Sequence, residues 1–356
     1  MVKDCQNKLQ ELFKDLSPEK PKTSEKEWLI TQSGSSPPPF MVHLILIQGL
    51  GCAPIYQPRE KMAWITYFSF QGKPMFAAHL KFGLQLGVQD SDGNELLTSF
   101  WKLLQDALPL ANDSFDDLIR TTLSNGQVVI ENKSFLFKER YLFLRKQAEQ
   151  KFENQTHFSH REGFFLASAS LDAYFSLLEH YLVLLLPFVE FDPSQGNILK
   201  VIKSSWEKNF QKIFGDPPAN EAEQIVLENL KQIKRRWRNA LAHGGFDYEG
   251  LTFFVQIPEL GTIPASLAKD KRLFRFPNLP ISHSDFKDIC VTLDECDDSL
   301  KNGSLKPAFQ YIEAGLNLYF DETGQQELKR ALDCEESMED FINHQAYLED
   351  IHTNMD

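Results

Sequence analysis

Apolar positions in the first 137 residues come in short runs broken by turn residues, and after that point they follow helical spacing. The opening MVKDCQNKLQELFKDL patterns as an amphipathic helix, and Pro, Ser and charge mark residues 17–39 as a linker or extended lead-in. Phe40 to Gln48, FMVHLILIQ, is a short β-branched apolar run and predicts a strand. Met62 to Phe70 and Met75 to Leu86 predict two more, turned by Gln71-Gly72-Lys73-Pro74. Glu95 to Leu108 predicts a helix around Phe100, Trp101 and Leu104, and Asp113 to Thr122 a second one with Asp and Ser at its start. Gln127 to Ile130 and Phe135 to Phe137 predict a small hairpin. Residues 1–137 therefore form an expected α+β module.

From Lys138 to about Phe158 the pattern is helical and charged. Arg161 to Leu186 follows, apolar on nearly every face and so expected to be buried. Its exceptions, Ser168, Asp172, Ser176 and Glu179, line up in one polar strip. A buried carboxylate needs a cation, and Arg238 or His243 is the natural candidate. Glu179 would then hold the guanidinium or raise the imidazole pKa. Alternatively the strip faces solvent or a dimer partner. Pro187 ends this helix, Asn197 to Phe214 forms the next, and Gly215-Asp216-Pro217-Pro218 breaks it. The stretch from Glu221 to Gly245, EAEQIVLENLKQIKRRWRNALAHGG, completes an antiparallel bundle over residues 138–250. Residues 251–356 read as an extension: a strand from Leu251 to Ile257, a turn at Gly261 to Pro264, and helices over Ser282 to Leu300 and Leu305 to Phe320. One or two more helices follow within Gln325 to His352. The fold class is mixed and α-rich.

At about 100° per residue, Val226, Leu230, Ile233, Trp237 and Leu241 form an apolar seam on the 221–245 helix. Lys231, Arg235, Arg238, Asn239 and His243 fall on the other side, and Gly244-Gly245 caps the end. One face thus collects a fixed cation, an amide and an imidazole, a set suited to phosphodiester cleavage. Arg238 can hold the scissile phosphate by two hydrogen bonds and offset charge in the transition state. His243 can move the proton of a ribose 2′-OH or of the leaving oxygen, and Asn239 can orient either group. DNA lacks the 2′-OH, so this chemistry selects RNA, with Lys231 and Arg235 as backbone contacts. Taken alone, the same residues also describe a solvated basic helix face with a histidine at its end.

The run Arg238-Asn239-Ala240-Leu241-Ala242-His243 resembles the R-N-x-x-x-H signature of the HEPN superfamily, the higher eukaryote and prokaryote nucleotide-binding domain. It ends an amphipathic helix preceded by a long apolar one, which is the arrangement of that family, and the resemblance covers roughly residues 160–250. The resemblance implies an all-α bundle and a metal-independent endoribonuclease without cofactor, with Arg238, Asn239 and His243 catalytic; Glu179 and Asp172 of the polar strip are the expected supporting acids. It further implies a homodimer whose two motifs share one cleft, acting on RNA in a toxin–antitoxin or antiphage setting, with an antitoxin or trigger protein as a further partner. Members neutralised by nucleotidyltransferase antitoxins carry a modified Tyr two residues after the His; here Gly245 stands there and Tyr248 lies five residues on, so that control is not expected. Two other readings compete: a non-catalytic nucleotide- or protein-binding module, and a scaffold in which Arg238 and Glu179 form a buried pair.

Composition narrows this only in part. A chain of 356 residues has room for two domains. A net charge of −13 argues against broad nucleic-acid binding, although five of the eight residues from Lys231 to Arg238 are basic. Five scattered cysteines have no metal-ligand spacing and fit a reducing cytoplasm. The amino terminus lacks the apolar core of a signal peptide, and the run Tyr181 to Val189 is too short for a bilayer, so no membrane partner is expected. The first module holds no Walker sequence or glycine fingerprint; His43 and His79 sit among apolar residues as structural histidines, and a sensing or restraining role follows from domain order alone.

Overall fold

The computed structural model describes residues 3–22, 27–32, 37–55, 62–81, 83–154, 156–192, 198–238, 252–266, 281–332 and 335–353. The chain divides into two units, Met1–Asn125 with Asn343–Asp356, and Gly126–Ile342. The mixed, helix-rich class expected from the sequence is the one observed.

In the first unit, helix α1 (Lys3–Leu12) leads to strands β1 (Leu16–Ser17) and β2 (Leu29–Gln32). The apolar run expected as a strand is helical: α2 (Pro39–Leu44) continues into a π-helical turn, Ile45–Gly49. Pro39 at the first helical position has its ring angle preset for a helix, and Met41, Val42, Ile45 and Leu46 then bury one face. Strands β3 (Pro54–Ile55), β4 (Met62–Phe70), β5 (Lys73–Leu80) and β6 (Gly83–Val88) complete an antiparallel sheet in the order β1-β4-β5-β6-β2, with β3 also on β4. Gln71 and Gly72, at φ 49 and 72, make the tight β4–β5 turn. The expected strand Met75 to Leu86 is thus two strands.

Helix α3 (Asn94–Ser124) replaces the two helices expected there and runs through Pro109. The carbonyl of Gln105 loses its helical partner to the proline, and Gln105 and Pro109 are both exposed. Phe100 of α3 is fully buried against Phe13, Phe68 and Phe70, with ring centroids 5.6, 5.1 and 5.1 Å away. His43 stacks on Trp64 at 4.4 Å, and Trp64 lies 6.4 Å from His79, as the apolar setting of both histidines suggests.

The second unit starts at 126, not after 137, because the expected hairpin does not form. Strand β7 (Val129–Ile130) instead joins a distant strand near residue 318, and Ser134 already begins helix α4 (Ser134–Glu153). Helix α5 (His157–Leu184) folds back on α4, with Tyr141 against Tyr174 and Phe137 against His180. The expected helix from 197 to 214 is two, α6 (Ile198–Ile202) and α7 (Trp206–Phe214), since Ser205 adopts extended backbone and caps α7. Helix α8 (Glu221–Ile233), capped by Asn220, passes into a second π-helical turn, Lys234–Arg238. Strands β8 (Thr252–Ile257) and β9 (Gly261–Ser266) pair through a turn at Pro258–Leu260, three residues earlier than expected, and the residues expected as the turn belong to β9.

Helices α9 (His283–Lys301) and α10 (Lys306–Glu313) come next, α9 opened by a reciprocal Ser282–Asp285 capping box. Strand β10 (Leu318–Tyr319), which takes the end of the expected 305–320 helix, is the partner of β7. The chain ends in α11 (Glu322–Ala331) and α12 (Glu335–Thr353). The core of this unit gathers Tyr174, Phe175, Trp206, Phe210, Leu230, Phe286 and Tyr311. Phe158–Phe188 is long and apolar enough to cross a membrane by length and composition, and 78% of its apolar window is buried inside the protein.

Candidate functional site

The basic run Lys231–Arg238 is held by α8 and its π-helical extension. Val226, Leu230 and Ile233 are buried and Trp237 packs partly on the same core, so the expected seam forms as far as the description reaches. The i→i+5 bonding of residues 234–238 turns the chain less per residue than an α-helix does. It brings Lys234 over the ring of buried Trp206, 5.4 Å from the centroid and 3.3 Å from Glu207 Oε1. Arg235 and Arg236 stay exposed, and Arg236 covers the Trp237 ring at 4.6 Å. Lys231 pairs within its own helix, its Nζ 2.9 Å from Glu228 Oε1.

Arg238 ends this turn against α5. Its Nε donates to Asp172 Oδ1 at 3.0 Å, and its guanidinium lies 5.6 Å from the centroid of Phe175. The carboxylate pairing expected from Glu179 is therefore made by Asp172, one of the two acids named as supporting. The reason is geometric: Asp172 and Phe175 are three residues apart on one helix surface and offer a charge and a ring together. The polar strip is not buried as expected. Asp172 and Arg238 side chains are 56% and 29% exposed, and Glu179 is half-buried. Ser168 and Ser176 donate to the carbonyls of Phe164 and Asp172 on their own helix. Asn239 and His243 lie outside the described residues, so the geometry of the site is fixed for Arg238, Asp172 and Phe175.

Two polar centres of the second unit gave little sequence signal. The backbone N–H of Lys133 donates to His180 Nε2 at 2.9 Å, so a side chain of α5 caps the start of α4. Burial, then the charge of Lys133, holds the His180 imidazole down at about 4. Further along, the buried Tyr174 hydroxyl donates to Asp297 Oδ1 at 2.8 Å, and Arg145 donates twice to Asp294 at 2.6 and 2.9 Å. Burial raises the Asp297 carboxyl despite Tyr174 and Lys301. The adjoining cavity, lined by Tyr181, Leu182, Phe214 and Asp297 among others, holds about 10 Å³, room for one water and no substrate. Burial pushes the Cys290 and Cys296 thiols up to about 12, which makes them poor nucleophiles.

Comparison with protein-family models, with curated proteins and with solved structures finds no match to this chain.

Proposed function

We propose that the chain is a metal-independent endoribonuclease of HEPN type, with Arg238, Asn239 and His243 as its reacting set. The observation that carries the reading is the setting of Arg238. It stands part-exposed at the end of a five-residue π-helical turn, braced by Asp172 and Phe175, and is approached by a run of basic residues. Single π-turns within helices are rare and concentrate at functional sites. In this reading a scissile phosphate takes the guanidinium edge that Asp172 leaves open. His243 accepts the 2′-OH proton, the 2′-oxygen attacks phosphorus, and the bond to the 5′-oxygen breaks as that oxygen takes a proton from water, giving a 2′,3′-cyclic phosphate; the imidazolium then returns its proton to solvent. The homodimer, the antitoxin or trigger protein and the defence setting belong to the same reading and rest on the family resemblance.

A second reading, a binding module for a nucleotide or a partner protein, is favoured by the net charge of −13 and by the carboxylate already on Arg238. One experiment separates them: total RNA and tRNA incubated in EDTA with the wild type and with His243→Ala. Cleavage lost in a folded His243→Ala supports the nuclease. Intact RNA in every sample, with Arg238→Ala weakening nucleotide or partner binding, supports the module.

A further inference from the structure

The π-helical turn opens on Lys234 and closes on Arg238, and two different helices brace these cations in the same way. Lys234 stands 5.4 Å from the ring centroid of Trp206 and 3.3 Å from Oε1 of Glu207, neighbours on α7. Arg238 meets Phe175 at 5.6 Å and Asp172 at 3.0 Å, both on α5. Phe175 and Trp206 are fully buried with their centroids 5.8 Å apart, so one rigid aromatic floor runs beneath both cations. Lys234 and Arg238 are about one turn apart, which makes their side chains neighbours. Like charges so placed repel each other.

The braces leave donors over. A ring draws a cation by its quadrupole and offers no lone pair. Asp172 takes only the Nε–H of Arg238, and Glu207 only one of the three ammonium hydrogens of Lys234. A guanidinium held for structure alone looks different in this fold: Arg145 donates twice to Asp294, at 2.6 and 2.9 Å. The Lys234 and Arg238 side chains are also only 18% and 29% exposed, so each has already lost much of its hydration. Fixed, part-dehydrated cations with unused donors bind anions at less cost than mobile, hydrated ones. We propose that this pair seats two consecutive phosphates of one RNA strand, one on Arg238 and its neighbour on Lys234. The seat deepens the nuclease reading and rests on it for the phosphate that is cut, the one on Arg238. Lys234 is then a positioning residue: it holds the next phosphate and fixes the register of the strand. Two adjacent phosphates also relieve the repulsion between the two cations. Exposed Arg235 and Arg236, between them in the chain, add to the attraction.

Uncleavable ligands test the seat in the full chain. A 2′-O-methyl dinucleotide has one bridging phosphate, and a terminal phosphate at its 5′ or 3′ end supplies the second. In calorimetry the wild type should bind one of the two phosphorylated forms roughly 10-fold more tightly than the parent. Lys234→Gln should bind the parent as the wild type does and lose that gain. Lys234→Arg should keep most of the gain, and Lys287→Gln on α9 should keep all of it. Glu207→Gln removes the carboxylate that competes for the ammonium and should enlarge the gain, which tests the seat even where Lys234→Gln fails to fold. With a longer 2′-O-methyl strand, Lys234→Gln should lower the slope of log affinity against log salt by about 0.7. Equal binding of the parent and both phosphorylated forms by the wild type overturns the proposal. So does a gain that survives Lys234→Gln or is not enlarged in Glu207→Gln. None of these ligands can be cut, so the seat and the nuclease fail separately. Natural RNA left intact with the gain present removes the nuclease and keeps the seat; RNA cleaved with the gain absent removes the seat and keeps the nuclease.

Discussion

Arg238 and Asp172 are both open to solvent, and that decides what their ion pair is worth. An exposed pair contributes about 0–1 kcal/mol and an exposed cation over a ring about 0.5–1. Arg238→Ala should therefore lower the unfolding free energy by less than about 2 kcal/mol, whereas loss of one partner from a buried pair costs about 3–5. Denaturant melts of Arg238→Ala thus test the scaffold reading, and RNA cleavage by the same variant should fall at least 100-fold if the guanidinium stabilises the transition state.

His180 behaves differently because its neutral form accepts the Lys133 N–H. Its pKa is about 4 when folded and near 6.5 when unfolded, so the unfolded chain takes up the proton first as pH falls. The stability it provides is complete above about pH 6.5 and is lost progressively toward pH 4. Urea midpoints measured between pH 7 and 4.5 should fall more steeply for the wild type than for His180→Gln. Asp297 has the opposite sign, since burial favours its protonated form. Asp297→Asn keeps an acceptor for Tyr174 and removes a buried charge, so at pH 7 it should melt no lower than the wild type. Tyr174→Phe leaves the carboxylate without its donor and should melt lower.

Among the elements, the π-helical turn at Lys234–Arg238 has the largest consequence. It accommodates one more residue per turn than an α-helix, so deleting exposed Arg236 should restore regular winding and leave Arg238 facing Asp172. Cleavage and the urea midpoint should both stay near the wild-type values, whereas one residue inserted after Arg236 should rotate Arg238 away and drop cleavage to the level of Arg238→Ala. Such a turn is invisible to a fixed angle per residue, which is why the apolar seam through Ile233 was legible and the placement of Arg238 on Phe175 was not. Periodicity also fails for short apolar runs: Phe40 to Gln48 suits a strand or a buried helix, and Pro39 was the signal that should have decided it. The helices after Asn220 and Ser282 were legible because their caps are explicit, whereas α3, which has no side-chain cap, was expected as two. Pairing over long separation leaves no local trace, and β7 with β10 shows this.

For the molecule as a whole, an excess of 13 negative charges repels RNA except where Lys234, Arg235, Arg236 and Arg238 are concentrated. RNA binding should therefore use few phosphates. A slope of log affinity against log salt of about −2 to −3, corresponding to roughly three or four contacts on a single strand, is expected in filter binding. A slope steeper than about −6 would mean that a wider surface takes part.

The β7–β10 ladder also sets a schedule. Leu318 and Tyr319 pair with Ile130 and Val129, and Asn132 donates to the carbonyls of Ile312 and Leu316, so α4 is tied at its start to chain made about 185 residues later. A ribosome that has just released the basic run of α8 has yet to make α9, whose side chains complete the core around it. The second unit therefore closes only after the chain has been made past residue 319. An RNA-cleaving centre built this way would stay incomplete until that later stretch of chain has left the ribosome.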